Sequence, residues 1–159
     1  MRVTHRTLLA ALLAAPLSTL FRRHTMPWTL SNATAVLVVP TVEPSLAFWR
    51  DRLGFTLVAE VPHGNALGFA MLVKDGVDVM LQSVASVRED MQAVVGVTSE
   101  TPGTSTALYM KVDDLDAVIA ALGDYPIRLP RRQTFYGADE VGVLEPGGHL
   151  VVFAKPPTE

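Results

Sequence analysis

The same succession of predicted elements occurs twice in this chain, and this repetition limits the possible folds more than any other feature. Each half begins with a β-branched apolar strand, continues with a short helix and ends with three strands separated by turn residues. Val39 of the first half aligns with Val112 of the second half, 73 residues later. This internal duplication predicts two similar β-α-β-β-β modules, at 33–83 and 105–155, joined by a Ser/Thr/Gly-containing linker over 84–104.

The segment "EPSLAFWRDRLGF" shows how the first helix begins and ends. Pro44 suits a first helical turn, where its missing N–H costs no hydrogen bond. Leu46, Trp49 and Leu53 recur at helical spacing and form an apolar stripe, so Trp49 is expected in the core rather than against a ligand. Gly54 follows as a left-handed cap, which predicts a sharp end to the helix.

Composition limits the class of protein. Hydrophobic residues make up 49% of the 159 residues and charged residues 18%, which suits one domain with a packed core. The net charge is −3 and no Lys/Arg cluster carries interleaved aromatic residues, so nucleic acid is not an expected partner. The chain has no cysteine, which excludes disulfides, thiolate zinc sites and cysteine nucleophiles.

The first 25 residues are set apart from the fold. Arg2 and Arg6 precede an apolar run over 8–20, which is short for a membrane span but long enough for the core of a signal peptide. The favoured interpretation is an extension ahead of a start at Met26, because no small-x-small cleavage site follows the run and Arg22 and Arg23 come directly after it. The extension predicts a cytoplasmic protein and the signal peptide an exported one; no membrane contact is expected of the folded domain.

Three stretches together carry a resemblance to a known family: "VVPTVEPSLAFWRDRLGF", "VDDLDAVIAAL" and "FYGADEVGVLEPGGHLVVFA". They resemble the vicinal oxygen chelate superfamily, which contains glyoxalases, bleomycin-resistance proteins and extradiol dioxygenases. The resemblance covers 33–155 and implies an α+β fold, in which two β-α-β-β-β modules with curled mixed sheets form a cleft. It also implies a homodimer, because a second chain commonly completes the cleft in this family.

The resemblance further implies four positions for metal ligands, which would be His or Glu in metal-using members. In this chain they fall on Thr34, Met80, Ala107 and Val152. None of these side chains ligates a divalent ion well, so neither a metal nor another cofactor is expected and no catalytic residue is predicted. An enzyme with displaced ligands stays open as the alternative, drawing on Glu60, His63, Glu140 and His149.

Strand alternation predicts which side chains face the cleft. Tyr109 is the strongest candidate, because residue type and strand register both place it on the cleft side. Asp139 and Glu140 are interpreted either as partners of a cationic ligand or as solvated loop charges. His149 is expected at a solvated strand start and Glu145 in a turn. The full set of predicted ligand-binding residues is Tyr109, Lys111, Met80, Gln82, Asp78, Phe69, Phe135, Tyr136 and Glu140.

These expectations favour a metal-free binding protein of the bleomycin-resistance type, which sequesters an aromatic or cationic small molecule. The sequence shows no nucleophile–base pair and no Gly-rich phosphate loop, so it offers no acid–base machinery. Two alternatives remain: the enzyme with displaced ligands, and an interaction module whose cleft is empty.

Overall fold

The computed structural model describes residues 32–90 and 107–157 of the chain. The predicted N-terminal extension over 1–25 and the part of the predicted linker over 91–104 lie outside the described residues. In the part that is described, no helix is long and apolar enough to cross a membrane.

The first half folds in the predicted order of strand, helix and three strands. Its helix ends in a π-helical turn, and a further helix occupies the start of the predicted linker. The elements are β1 (Ala35–Val39), α1 (Val42–Ala47, continued by the π-helical turn Phe48–Arg52), β2 (Thr56–His63), β3 (Ala66–Lys74), β4 (Val77–Ser83) and α2 (Val84–Asp90).

The second half repeats this order without a terminal helix. Asp114 caps its helix, since the side chain accepts a hydrogen bond of 3.0 Å from the backbone N–H of Ala117. The elements are β5 (Ala107–Lys111), α3 (Leu115–Leu122), β6 (Ile127–Gln133), β7 (Asp139–Leu144) and β8 (Leu150–Lys155).

The two modules form two four-stranded sheets with identical topology. The strand order is β1-β4-β3-β2 in the first sheet and β5-β8-β7-β6 in the second. In each sheet the first pair is parallel and the other two pairs are antiparallel. The predicted α+β class with two β-α-β-β-β modules is therefore confirmed, and the sheets are not closed, which is consistent with a cleft.

The end of the first helix has the local cause that the sequence predicts. Gly54 has φ +74°, in the region that glycine enters without a steric penalty. Its N–H donates to the carbonyl oxygen of Arg50 at 3.2 Å, and the N–H of Phe55 donates to that of Trp49 at 3.0 Å. These bonds satisfy carbonyls that the helix end would otherwise leave unpaired.

Trp49 lies in the core, as predicted, with no exposed side-chain surface. Its ring makes edge-to-face contacts with Phe48 at 5.5 Å and Phe55 at 5.1 Å between centroids. The same core cluster contains Leu115 and Phe153 from the second module. One continuous core therefore joins the two modules, with α1 and α3 on its side of the sheets.

Polar contacts also join the modules. The Ser45 hydroxyl donates to Glu145 Oε2 at 2.7 Å, and both residues are fully buried. His149 Nε2 donates to the carbonyl oxygen of Val38 at 2.9 Å. His149 is buried, so the expectation of a solvated strand start was wrong; the neighbouring module covers it.

Gly147 allows this close approach. A Cβ atom at Gly147 would collide with the side chain of Val39 and the carboxylate of Glu145. The turn that connects β7 to β8 is thus a contact surface between modules as well as a reversal of the chain.

Candidate functional site

Strand alternation gives each sheet one face toward the helices and one open face, defined as the face opposite α1 and α3. Leu37 and Val39 lie in the core, whereas Val36 between them is exposed. In the second sheet Leu108 and Met110 pack against the core, whereas 48% of Tyr109 is exposed. The predicted assignment of these strand residues to the two faces is confirmed.

The first sheet places three of its predicted site residues on the open face in adjacent rows. Phe69 is in register with Gln82, Met71 with Met80, and Val73 with Asp78. Phe69, Met80 and Asp78 are half-buried there.

Gln82 shares that register but does not reach the surface, since only 7% of it is exposed. Its Nε2 donates to Ser86 Oγ and to Asp90 Oδ2, both at 3.3 Å and both on α2. Helix α2 occupies the start of the predicted linker, so the burial of Gln82 beneath it was not expected.

Three aromatic residues that were predicted to bind the ligand lie close together at the second sheet. The hydroxyl oxygens of Tyr109 and Tyr136 lie 3.4 Å apart, although one residue is on β5 and the other follows β6. Phe135 is fully exposed and meets Tyr136 edge to face at 5.0 Å between centroids. These three residues form what we call the aromatic cluster.

Two charged residues that were predicted to bind the ligand, Lys111 and Glu140, lie on the same open face. Lys111 is in register with Ala154, and Ala154 with Glu140, so one row of the sheet carries both charges. Lys111 is exposed, whereas Glu140 is buried, with only 3% of its surface exposed.

Glu140 is held by Arg132 on the neighbouring strand β6. Arg132 Nε and Nη2 approach the same carboxylate oxygen, Oε1, at 2.8 and 2.7 Å. The interpretation of Glu140 as a solvated loop charge was wrong, because β6 and β7 extend far enough to pair these two residues.

The preceding residues make the matching pair on the other face of the sheet. Arg131 donates to Asp139 at 3.0 and 2.6 Å and to Asp116 at 2.6 Å. The hydrogen bond from Arg131 holds the pKa of Asp139 below its usual value. The sequence carried a signal for both pairs, since "RR" and "DE" flank a turn at hairpin distance.

The contact with Tyr136 changes the acidity of the Tyr109 hydroxyl. The hydrogen bond with Tyr136 raises the pKa of Tyr109 to about 12, and burial and the charges of Tyr136 and Glu140 add to the rise. Tyr109 therefore keeps its proton at neutral pH.

The residues at the four implied metal positions do not fit a divalent ion. Met80 and Val152 occupy equivalent places, in register with Val36 and Tyr109 respectively. Alanine and valine offer no donor atom, and a methionine thioether and a threonine hydroxyl are poor substitutes for imidazole and carboxylate.

The four residues proposed as displaced ligands are not brought together. His63 is bonded to Glu89 at 2.7 Å, Glu140 to Arg132, and His149 to the backbone of Val38. Among residues 32–90 and 107–157, no group of three or more His, Asp or Glu side chains is arranged to hold a metal ion.

Two cavities lie away from the open faces. One of about 500 Å³ is between the helices of the two modules, and one of about 380 Å³ is at the start of α3. None of the nine predicted ligand-binding residues lines either cavity. The predicted site in a single chain is therefore an open surface on the sheets, separate from both cavities. Among the residues that line the first cavity are Pro44, Phe48, Arg52, Ala121, Tyr125 and Pro146.

Comparison with solved structures finds many proteins of this fold. A glyoxalase/bleomycin resistance protein/dioxygenase from Nocardioides matches with a TM-score of 0.64 and 21% identity, over 82% of this chain and 91% of that one. A glyoxalase-related enzyme from Fulvimarina pelagi has a TM-score of 0.62 and 22% identity, over 81% and 90%. A lactoylglutathione lyase from Agrobacterium tumefaciens has a TM-score of 0.59 and 17% identity, over 80% and 95%.

A comparison with curated protein sequences finds no match. The family model described as Glyoxalase/Bleomycin resistance protein/Dioxygenase superfamily matches residues 29–153, which span both modules. With the paired sheets and the duplicated topology, this match establishes that the chain belongs to the glyoxalase/bleomycin resistance protein/dioxygenase superfamily.

Proposed function

We propose that this protein binds a small aromatic molecule on the open faces of its sheets and acts by sequestration, without a bound metal. The observation that carries the proposal is an exposed aromatic cluster on the second sheet together with non-ligating residues at the four implied metal positions, two in each module. Sequestration requires affinity and no chemical step, which suits a face without acid–base machinery.

The aromatic cluster favours an aromatic ligand over a purely cationic one. Tyr109, Phe135 and Tyr136 expose large ring surfaces, and exposed loop aromatics that pack on one another commonly mark a recognition surface. Ring–ring contacts contribute about 0.5–1.5 kcal/mol beyond their buried area.

The half-buried residues of the first sheet supply a second, apolar surface. Phe69 and Met80 lie on its open face with the cross-strand neighbour Met71. Methionine side chains adapt to irregular partners and contact aromatic rings favourably. A ligand held between the first sheet of one chain and the second sheet of a partner chain would meet thioethers on one sheet and tyrosines on the other.

We also propose a homodimer in which a second chain completes the cleft. The open faces expose Val36, Val61 and Tyr109, which is apolar surface that a partner chain or a ligand would cover. An isologous two-fold contact is the commonest arrangement among soluble oligomers.

A thermal-shift screen with bound-metal analysis tests the proposal. Planar aromatic compounds should raise the Tm of the purified protein, since a ligand that binds only the native state stabilises it. Tyr109→Ala should abolish the shift, whereas Val77→Ala, another exposed apolar truncation, should keep it.

Three results would contradict parts of this proposal. Stoichiometric nickel, zinc, iron or manganese in protein purified without chelator would favour the enzyme with displaced ligands. No shift from any compound would favour an interaction module. Secretion of the full chain in a fractionation experiment would contradict the cytoplasmic location expected from the sequence and would favour export through residues 1–25.

A further inference from the structure

We infer that the ligand carries an anionic group, such as a carboxylate, beside its aromatic ring. The inference rests on the proposed function and replaces the cationic alternative suggested by the sequence. It follows from the charges that the open face of the second sheet presents to solvent.

The acidic residue on this face is not available to a cation. Glu140 is 3% exposed, and Arg132 approaches its Oε1 through two nitrogens. A cationic ligand would have to displace this guanidinium from a buried carboxylate, and breaking such a pair is costly.

The basic residues, by contrast, are accessible. The side chain of Arg132 is 60% exposed, and its Nη1 has no partner among the described residues. Lys111 is exposed on the same face and forms no ion pair within the described part of the chain. Lys111, Arg132 and Glu140 together carry a net positive charge, although the whole chain carries −3.

The tyrosine hydroxyls add a donor. A hydrogen bond between the hydroxyls of Tyr109 and Tyr136 uses only one of their two hydrogens. The other hydrogen is free to donate to a ligand oxygen, and hydrogen bonds to a charged oxygen are the stronger kind.

Neighbouring acidic residues do not reverse the sign. Asp139 precedes Glu140 but lies on the opposite face of the sheet, where Arg131 holds it. Asp78 lies on the open face of the first sheet, and it is half-buried.

Cation–π attraction to the aromatic cluster is the strongest argument for a cationic ligand. At exposed rings, however, its strength is similar to that of one exposed ion pair, and Lys111 and Arg132 both oppose it. The electrostatic balance therefore favours the anion.

Three probes with one ring system and different charges test the inference. Calorimetry would compare 1-naphthoate, 1-naphthalenemethanol and 1-naphthylmethylammonium at low and moderate salt. We expect naphthoate to bind about threefold to tenfold more tightly than the ammonium probe, with the preference reduced by salt. Lys111→Gln should reduce the preference, whereas Lys74→Gln, an exposed lysine outside the site, should not.

Glu140→Gln provides a second, independent readout. Removal of the carboxylate charge raises the net positive charge of the face, so naphthoate should bind more tightly. If the ammonium probe bound as tightly as naphthoate or more tightly, the inference would be overturned while the proposed function stood. Binding of none of the three probes would contradict both.

Discussion

Replacing Ser45 with alanine should destabilise the protein although it removes a single oxygen atom from a helix. Ser45 and Glu145 are 100 residues apart in the sequence, and the hydroxyl donates to the carboxylate at 2.7 Å in a fully buried contact. The other oxygen of Glu145 accepts the backbone N–H of His149 at 3.2 Å. Ser45→Ala would thus leave Oε2 of a buried carboxylate without its donor.

The magnitude follows from the type of hydrogen bond. A hydrogen bond to a charged group contributes about 1.5–3 kcal/mol, and a buried acceptor that loses its partner incurs the full cost of desolvation. Alanine is a better helix former than serine by roughly 0.5 kcal/mol, which offsets part of the loss. We expect the free energy of unfolding to fall by about 1–2.5 kcal/mol.

Urea unfolding at pH 7 measures this change. The midpoint should fall while the m-value stays constant, because the surface exposed on unfolding does not change. Thr41→Ala is the matched control, since Thr41 is an exposed hydroxyl residue at the start of the same helix and makes no capping bond through its side chain. Its effect should stay within about 0.5 kcal/mol.

A double-mutant cycle that combines Ser45→Ala with Glu145→Gln completes the experiment. If Ser45 acts through Glu145, the two single changes should not add in the double variant. A Ser45→Ala protein as stable as the Thr41→Ala control would refute the reasoning, because it would mean that the module junction is hydrated.

Three further predictions concern the core, the aromatic cluster and assembly. Trp49→Ala should cost about 3–5 kcal/mol of stability, whereas Tyr109→Ala should cost less and weaken ligand binding. Urea unfolding and calorimetry separate the two effects, and the opposite pattern would contradict a structural role for Trp49 and a ligand-binding role for Tyr109. Absorbance titration should show Tyr109 ionising near the pKa of about 12 and nearer 10.0 in Tyr136→Phe. Because the pKa of Tyr109 is higher in the folded protein, the hydrogen bond with Tyr136 contributes its full stabilisation below pH 10, and this stabilisation is lost as the pH rises through 12. A Tyr109 titration that is the same in Tyr136→Phe as in the unaltered protein would exclude the hydroxyl contact. Light scattering should give twice the chain mass at micromolar concentration, and a monomer would contradict the shared cleft.

Much of the fold could be predicted because its determinants are local. Runs of β-branched and apolar residues predicted the eight strands found among the described residues, and Gly64 and Gly76 lie in the turns that separate β2, β3 and β4. Strand alternation also assigned Tyr109 to the open face. The π-helical turn was missed because it covers only five residues, Phe48–Arg52, too few for a period to be recognised in their apolar pattern.

The candidate site was predictable in residue type but only partly in arrangement. Tyr109, Tyr136 and Glu140 were selected separately, and the structure brings them onto one open face. Gln82 was selected on the same grounds, yet α2 covers it. Strand alternation specifies the side of a sheet that a residue faces but does not show what packs over that side.

The sequence by itself therefore determined the order of elements, the two faces of each strand and the end of the first helix. Each of these depends on a few neighbouring residues and on the period of the backbone. Only the tertiary structure decided that Ser45 meets Glu145, that His149 bonds to Val38, and that Arg132 occupies the carboxylate of Glu140. Such pairs depend on the relative positions of whole strands and helices, which are set by the packing of the shared core.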